Sequence, residues 1–440
     1  MPKTRLFVVS LMVVATMILS ACAPTVAPTT APVATAVPQQ PQATAVPVQP
    51  TAVPPPAEMT ITFWTKEGEA DGGYQYVKGL TDAYTAAHPN VKFDVVNKNV
   101  ETLREDFQTT SLAGQAPDLL WTVADHVGPF TAADLIQPTD DLLDLSVYVD
   151  SAVAALAADG KHWGVPVSNG NHLMLLYNKD LVPTAPKDSD ELIAVAKANT
   201  DAAAGTYGLV FNQTESFWLV PFLGGFGGSV FAEDGKTPTL DTDAMKGALQ
   251  FMYDLKYTDK VMPAEADYNG ADTLFKDGKA AMIINGDWSL GGYKEALGDK
   301  LGVAAIPMIK STGLYPAPYT AGAFFMLPKP LAGDKLAAVV DFLKFATDKA
   351  NQVDMVKKLS RLPALKEALA DPIIANDPLL AGSAEQMTHG TPQPTNLEMR
   401  CVFDAMTGEV RSLFTDQHKA EEAAKAMQEA AVSCIAAMGE

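Results

Sequence analysis

The sequence predicts an α/β protein with doubly wound sheets, and three observations carry that prediction. Between Met59 and Val123, strand-like and helix-like segments alternate with short connections, the pattern of right-handed crossovers in a parallel sheet. The alternation resumes beyond Leu173 and continues to Leu359 without settling into a fixed-period repeat. The folded part, from about Met59 to Glu440, is roughly 380 residues, which suggests two domains or lobes.

The chain opens with a segment that is not part of this fold. Lys3 and Arg5 lead an apolar run, Leu6 to Leu19, which ends in Leu19-Ser20-Ala21-Cys22. A positive start, a short apolar stretch and small residues before a cleavage point are the marks of a secretory signal. The run, about 14 residues, is too short to span a ~30 Å hydrocarbon core. Its ending resembles the lipobox of bacterial lipoproteins, which implies cleavage at 1–22 and a diacylated Cys22. Two acyl chains hold a protein stably on a membrane. Residues 23–57 are almost wholly Ala, Pro, Thr, Val and Gln. Such a segment has nothing bulky to bury and cannot offset its ordering entropy, so it is expected to be a disordered tether. At ~3.1 Å per residue its reach is on the order of 100 Å.

Within the body, Met59–Trp64 alternates as a strand, and Tyr74–Ala87 places Val77, Leu80 and Tyr84 at helical spacing before His88-Pro89-Asn90. Val91–Val96 is a second strand. Glu101–Leu112 is a second helix with acidic residues at its positive end, and Asp118–Val123 a third strand. Further on, Leu173–Tyr177, Thr206–Phe211, Ala280–Ile284, Leu301–Ile306 and Ala321–Leu327 read as strands. A helix begins near Ser189 and Asp190, Met245–Tyr257 is amphipathic, Lys335–Leu359 is helical with a break near Asp348, and Leu397–Met438 forms two or three helices.

Composition excludes several classes of function. A formal charge of −20 argues against nucleic acid or anionic lipid as partners, whose recognition needs Lys and Arg. There is no CxxC, HExxH, Walker loop or complete GxGxxG, and the six histidines lack ligand spacing, so no metal or other cofactor is expected. Gly224-Gly225-Phe226-Gly227-Gly228 reads as a loop. With Cys22 committed to lipid, Cys401 and Cys434 are an even pair in an exported chain and a candidate disulfide.

Ligands of such sheets bind beyond the carboxyl ends of the strands. Trp64, followed by Lys66 and Glu67, ends the first strand, and Trp121 to Asp125 closes the third. A strand tryptophan is also an ordinary core residue, and residue type alone leaves both readings open.

Several stretches, in order, resemble the extracellular solute-binding proteins of sugar ABC transporters, most of all the maltose and maltodextrin binders. They are Ala116-Pro117-Asp118-Leu119-Leu120-Trp121, Trp163-Gly164-Val165-Pro166, Tyr177-Asn178-Lys179-Asp180-Leu181, and Phe275 to Trp288 with its Lys276-Asp277-Gly278-Lys279 and Asn285-Gly286-Asp287. The resemblance implies a two-lobed, type II periplasmic-binding-protein-like fold, each lobe a doubly wound sheet. One lobe would be 59–167 plus 326–360 and the other 173–320 plus 366–440. Crossings are implied near Ser168–His172, Tyr319–Met326 and Arg361–Lys366; Ser168-Asn169-Gly170-Asn171 is itself a polar break suited to a hinge.

The resemblance also implies site residues. Asp125 and His126 fall where the maltose binders use an acid and a basic residue, while Thr122 replaces a stacking tryptophan, one place after Trp121. Asn171 falls near a ligand-binding glutamate. Glu215, Phe217 and Trp218, in Phe211 to Trp218, match an acid and aromatics; Trp288 matches a stacking tryptophan, with Leu290 in place of a second. Met399 and Arg400 stand where aromatics are expected. Flat aromatics suit the C–H faces of a sugar ring, and Asp, Glu and Asn suit its hydroxyl rim.

The function implied is a lipid-anchored, monomeric, extracytoplasmic receptor, in the periplasm or on the cell surface. It would bind a saccharide in the inter-lobe cleft without catalysis and deliver it to ABC permease subunits in the same membrane. Two alternatives stand beside it. One is a secreted glycoside hydrolase using paired carboxylates; the other is the same fold holding a polyamine, peptide or glycerophosphodiester.

Overall fold

A computed structural model describes residues 57–438. The expected signal, most of the tether and Cys22 lie outside the described residues.

Two sheets organise the body. The larger takes the strands Met59–Thr65, Val91–Asn97 and Leu119–Val123 in the parallel arrangement that their crossover helices, Gly73–Ala87 and Val100–Leu112, require. Ala323–Pro328 then returns antiparallel beside the third strand, and Ile136–Gln137 and Val165–Ser168 pair with it. The second sheet has the order Leu301–Ala304, Leu173–Asn178, Ala280–Gly286, Tyr207–Val210. Here Leu173–Asn178 runs antiparallel to both its neighbours, so the sheet is mixed. Both faces of these sheets are covered, and Leu119–Val123 and Ala280–Gly286 are buried at every residue.

Each sheet has its own core. Phe63, Trp121, Phe107, Phe325 and Phe342 belong to one; Phe211, Phe222, Leu249, Met252, Met406 and Met427 belong to the other. The helix Asp243–Tyr257 shows how the sequence builds the second. Met245, Ala248, Leu249, Met252 and Leu255 repeat at three- and four-residue intervals and are buried, while Thr242 caps the start by accepting the Met245 N–H at 3.2 Å. The expected break near Asp348 has a similar cause. Its carboxylate accepts the Asn351 N–H at 2.7 Å and starts a new helix, Lys349–Leu359. The helix expected near Ser189 begins on that residue, with Asp188 rather than Asp190 as cap.

The tail is two helices, Glu398–Phe414 and Ala420–Met438, joined by the disulfide Cys401–Cys434 with Cα atoms 5.6 Å apart. Three short helices, Lys366–Leu369, Pro372–Ala375 and Pro378–Met387, have no counterpart in the sequence expectation. Two of them begin on Asp-Pro, with Asp371 and Asp377 capping and Pro in the first turn.

The chain passes between the sheets at residues 169–172, 305–322 and 360–366. These crossings are bonded to one another: Asn169 N–H donates to Leu362 O at 2.9 Å, and Ala321 N–H to Gly170 O at 2.8 Å. Buried Gln352 clamps them further, donating to Val167 O at 2.8 Å and accepting the Ala364 N–H at 3.0 Å. Each crossing contains left-handed backbone: Gly170 (φ 151°) and Asn171 (φ 53°), Gly322 (φ 133°), and Ser360 (φ 53°). At Gly322 a Cβ would lie 2.2 Å from Ser168 O, so only glycine fits.

Candidate functional site

The residues expected at the site cluster on one kind of local frame. A buried strand ends, and a single 3-10 turn follows: Ala124–His126 after Leu119–Val123, and Asp287–Ser289 after Ala280–Gly286. A third such turn, Ser216–Trp218, lies a short loop beyond the strand Tyr207–Val210.

On the second sheet these turns build an aromatic cluster. Phe217 is 6.0 Å from Trp218 and 6.0 Å from Trp288, and Trp218 stands edge-on to Trp288 at 6.5 Å. The indole groups are oriented by hydrogen bonds: Trp218 Nε1 donates to Ile284 O at 2.8 Å, and Trp288 Nε1 to the Tyr268 hydroxyl at 3.0 Å. Phe217 and Trp288 keep some exposure, whereas Trp218 is buried. Tyr319 and Phe403 extend the cluster, with Tyr319 6.4 Å from Phe217 and 6.3 Å from Phe403. The buried Tyr319 hydroxyl has no hydrogen-bond partner among the described residues.

On the first sheet the surface is ionic. Lys66 pairs with Glu67 at 2.9 Å. Asp125 is crowded by protein; that burial, and then Glu101, push its carboxyl up to about 6. His126 is fully buried, its Nδ1 2.7 Å from the Thr122 hydroxyl, and burial holds its ring nitrogen well below the ordinary value, so it is neutral. Glu215, from the other sheet, keeps solvent contact, yet burial of its carboxyl and then the charge of Glu101 raise it as well.

The two surfaces meet. Arg400 Nη1 reaches Glu101 across the seam at 3.3 Å while its Nη2 holds Asp404 at 2.7 Å, and Glu101 also takes Arg104 at 2.6 Å. Gly128 is pressed so closely on the opposing chain that a Cβ would lie 2.2 Å from Thr395 O. A cavity of about 460 Å³ opens at this seam between Arg104, Gln108, Pro129, Leu397 and Arg400. A second, about 350 Å³, lies at the glycine-rich segment and touches Tyr319 and Thr391; the expected loop there begins as the end of a helix, Val220–Gly225, and only Phe226 onward leaves it.

Three expected site residues are placed elsewhere. Trp121 is fully buried in the first core, edge-on to Phe325 at 5.0 Å, because the two are partners in the antiparallel register and share a sheet face, where Tyr76 of the helix Gly73–Ala87 also meets Trp121 at 6.3 Å. Met399 is buried in the second core, on the same helix face as Val402 and Met406. Trp64 is largely buried, with Lys98 Nζ 4.3 Å above its ring. Asn171 adopts the left-handed hinge conformation, and its N–H donates to Asp287 Oδ2 at 3.2 Å.

The sequence pattern of the bacterial extracellular solute-binding proteins matches residues 79–382. The chain belongs to that family. It is a solute-binding protein and not an enzyme, and its architecture is the two-lobed, type II periplasmic-binding fold. Among relatives, it is 27% identical over 353 residues to a maltotriose-binding protein of Pyrococcus abyssi, covering 79% of this chain and 76% of that one. It is also 27% identical over 366 residues to a maltooligosaccharide ABC transporter solute-binding lipoprotein of Streptococcus pneumoniae, covering 80% and 85%. Among solved structures, a maltose/maltodextrin-binding domain from Bdellovibrio bacteriovorus, bound to maltotriose, superposes with a TM-score of 0.82. That domain is 34% identical, covering 86% of this chain and all of that one.

In this solute-binding protein the sequence reading missed Tyr268, Tyr319 and Phe403 as members of the aromatic cluster. Phe403 carried a usable signal: it is one helical turn beyond Met399, on the flank of the Met399–Val402–Met406 stripe, where a side chain is only partly covered by the core. Tyr268 and Tyr319 carried none, because each lies far in sequence from the turns it touches.

Proposed function

We propose that this protein is the lipid-anchored receptor of an ABC importer and binds a maltodextrin-like oligosaccharide between its lobes. The lobes are 59–167 plus 326–360 and 173–320 plus 366–440. The observation that carries the reading is the aromatic cluster of Phe217, Trp218 and Trp288 at the strand ends of one sheet, with the ionic groups of the other sheet's side reached from it by Arg400 through Glu101. Aromatic rings pack on the apolar faces of glucose units, and charged and amide groups take their hydroxyl edges. Relatives whose names specify maltotriose or maltooligosaccharides support that choice of ligand.

Cys22 carries the lipid and residues 23–57 serve as the tether in this reading. The lobes close on the sugar, and the closed form docks on permease subunits in the same membrane as a monomer. Trp218, Glu215, Arg400 and the neutral His126 frame the ligand, and Asn171 acts at the hinge. The test is calorimetric titration of the full-length chain with maltotriose. One-to-one binding with the sugar recovered unchanged is expected, and a flat titration across maltose to maltoheptaose would reject the ligand.

A further inference from the structure

Far from the aromatic cluster in sequence, a buried chain of charges links the lobes through the third crossing. Arg361 and Glu67 are each 2% exposed, and Arg361 Nη1 lies 2.7 Å from Glu67 Oε2. The guanidinium's other arm, Nη2, donates to the carbonyl oxygen of Trp288 at 3.1 Å. Glu67 in turn holds Lys66 through Oε1 at 2.9 Å. The chain thus runs from Lys66 in the first lobe, through Glu67 and the crossing residue Arg361, to the backbone of Trp288 in the second.

Two further features fit this arrangement. Gly73 opens the first helix where a Cβ would lie 2.6 Å from Glu67 Oε2, so the glycine leaves room for the carboxylate. Asp287, next to Trp288, accepts the Asn171 N–H at 3.2 Å, which ties the first crossing to the same turn. Arg361 follows Ser360, whose φ of 53° puts left-handed backbone at the pivot itself.

We propose that Arg361 is a positioning residue for ligand capture: its two-armed bridge from Glu67 to the Trp288 carbonyl sets the closed placement of the Trp288 turn. This rests on the reading of Trp288 as a sugar contact. A buried guanidinium is costly unless its donors are met; here both Nη groups are met, Nε has no partner among the described residues, and the partners belong to the two lobes that close in the reading above. The bridge is therefore complete in one relative arrangement and broken in others, which makes it a selector of register rather than a general source of stability. A planar fork serves two acceptors in fixed directions; a lysine ammonium on a flexible stem does not fix both.

The test compares the full-length parent with Arg361→Gln, Arg361→Lys and the double variant Glu67→Gln/Arg361→Gln. The double variant removes both charges of the buried Glu67–Arg361 pair together, so that neither is left facing an empty partner; Lys66, its side chain 10% exposed, loses its carboxylate. Maltotriose dissociation is followed by stopped-flow tryptophan fluorescence, and hydrogen exchange reports on residues 285–290 without ligand. The double variant, still folded by circular dichroism, is expected to release maltotriose about 30-fold faster or more, with association little changed. Arg361→Lys is expected not to restore the parent rate, and exchange at 285–290 should rise in all three. A parent that binds maltotriose, with a folded double variant releasing it at the parent rate, would overturn the proposal. A parent that binds no maltotriose while the variants still loosen 285–290 would instead reject the sugar reading and leave the Arg361 linkage standing. Unchanged exchange there would reject the linkage in either case.

Discussion

On the C-terminal wall, Phe217, Trp218 and Trp288 stand with ring centres 6.0–6.5 Å apart, whereas on the N-terminal wall the tryptophans turn away. Trp121 is wholly inside its core and Trp64 nearly so, and the charged groups on that side are Lys66, Glu101 and Asp125, of which Glu101 meets Arg400. Both sides share one frame, a 3-10 turn at or shortly after the end of a buried strand, although Lys66 and Glu101 stand outside such turns. They differ in what the turn carries: Ala-Asp-His on one side, Ser-Phe-Trp and Asp-Trp-Ser on the other. A common backbone device therefore supplies either stacking surface or hydrogen-bonding charge according to three residues. A ligand with apolar faces and a polar rim needs one wall of each kind.

The sharpest way to break this comparison is to exchange the roles of its tryptophans. Trp121→Ala empties a fully buried ring and should cost about 3–5 kcal/mol of stability, with saccharide affinity nearly unchanged in whatever fraction stays folded. Urea melts and titrations on the same sample check this. A large affinity loss at constant stability would move Trp121 back to the site.

The next effect concerns the two cores. The disulfide closes a separation of 33 residues in the tail helices. In the chain-entropy model its removal should cost about 3.5 kcal/mol. In Cys401→Ala/Cys434→Ala, hydrogen exchange should quicken in 398–438 and in the packed helix 243–257 before it does in 59–123. Equal loosening in both regions would show that the two cores unfold as one.

Trp288→Ala tests the aromatic wall directly. A stacking role predicts a loss of ~2–4 kcal/mol in binding, or roughly 30- to 1000-fold in affinity. The same change at Trp64, under Lys98, should have a much smaller effect on binding. Equal losses at both positions would erase the contrast between the walls.

The smallest effect is the pH dependence of the ionic wall. The Asp125 carboxyl is raised to about 6 from an ordinary 3.8, so its contribution to stability is greatest below 3.8 and falls as pH rises through 6. Glu67, buried but dominated by Arg361 and Lys66, is lowered to about 2; its contribution is present above 4.5 and lost only as pH falls towards 2. Buried neutral His126 opposes Asp125 over part of the range, so the comparison must be made with the Asp125→Asn variant. Relative to that variant, the parent should lose on the order of 1 kcal/mol between pH 4 and 7, allowing for solvent screening. A difference that does not vary with pH would place Asp125 in open water.

Local pattern determined much of this protein. The strand Met59–Thr65, the amphipathic helix Asp243–Tyr257, the restart at Asp348 and the tail helices all follow from side-chain period and capping chemistry, which act within a few residues. The clustering of candidate residues at strand ends was legible for the same reason. What the sequence could not choose was which aromatic the core takes whole and which keeps some exposure. Trp121 turns out to stand mid-strand and Trp288 in the turn after its strand, where one meets Phe325 and the other Phe217 and Tyr268, elements distant in sequence. Met399 and Phe403 share a helix face, and its docking against the Ser216–Trp218 turn, through Thr407 and Ser216 at 2.9 Å, puts the flanking Phe403 beside the aromatic cluster while Met399 enters the core. The buried pair of Glu67 and Arg361 is the extreme case. Neither charge has a local reason to be buried, and each is tolerated only because folding brings the other to it across the whole length of the domain.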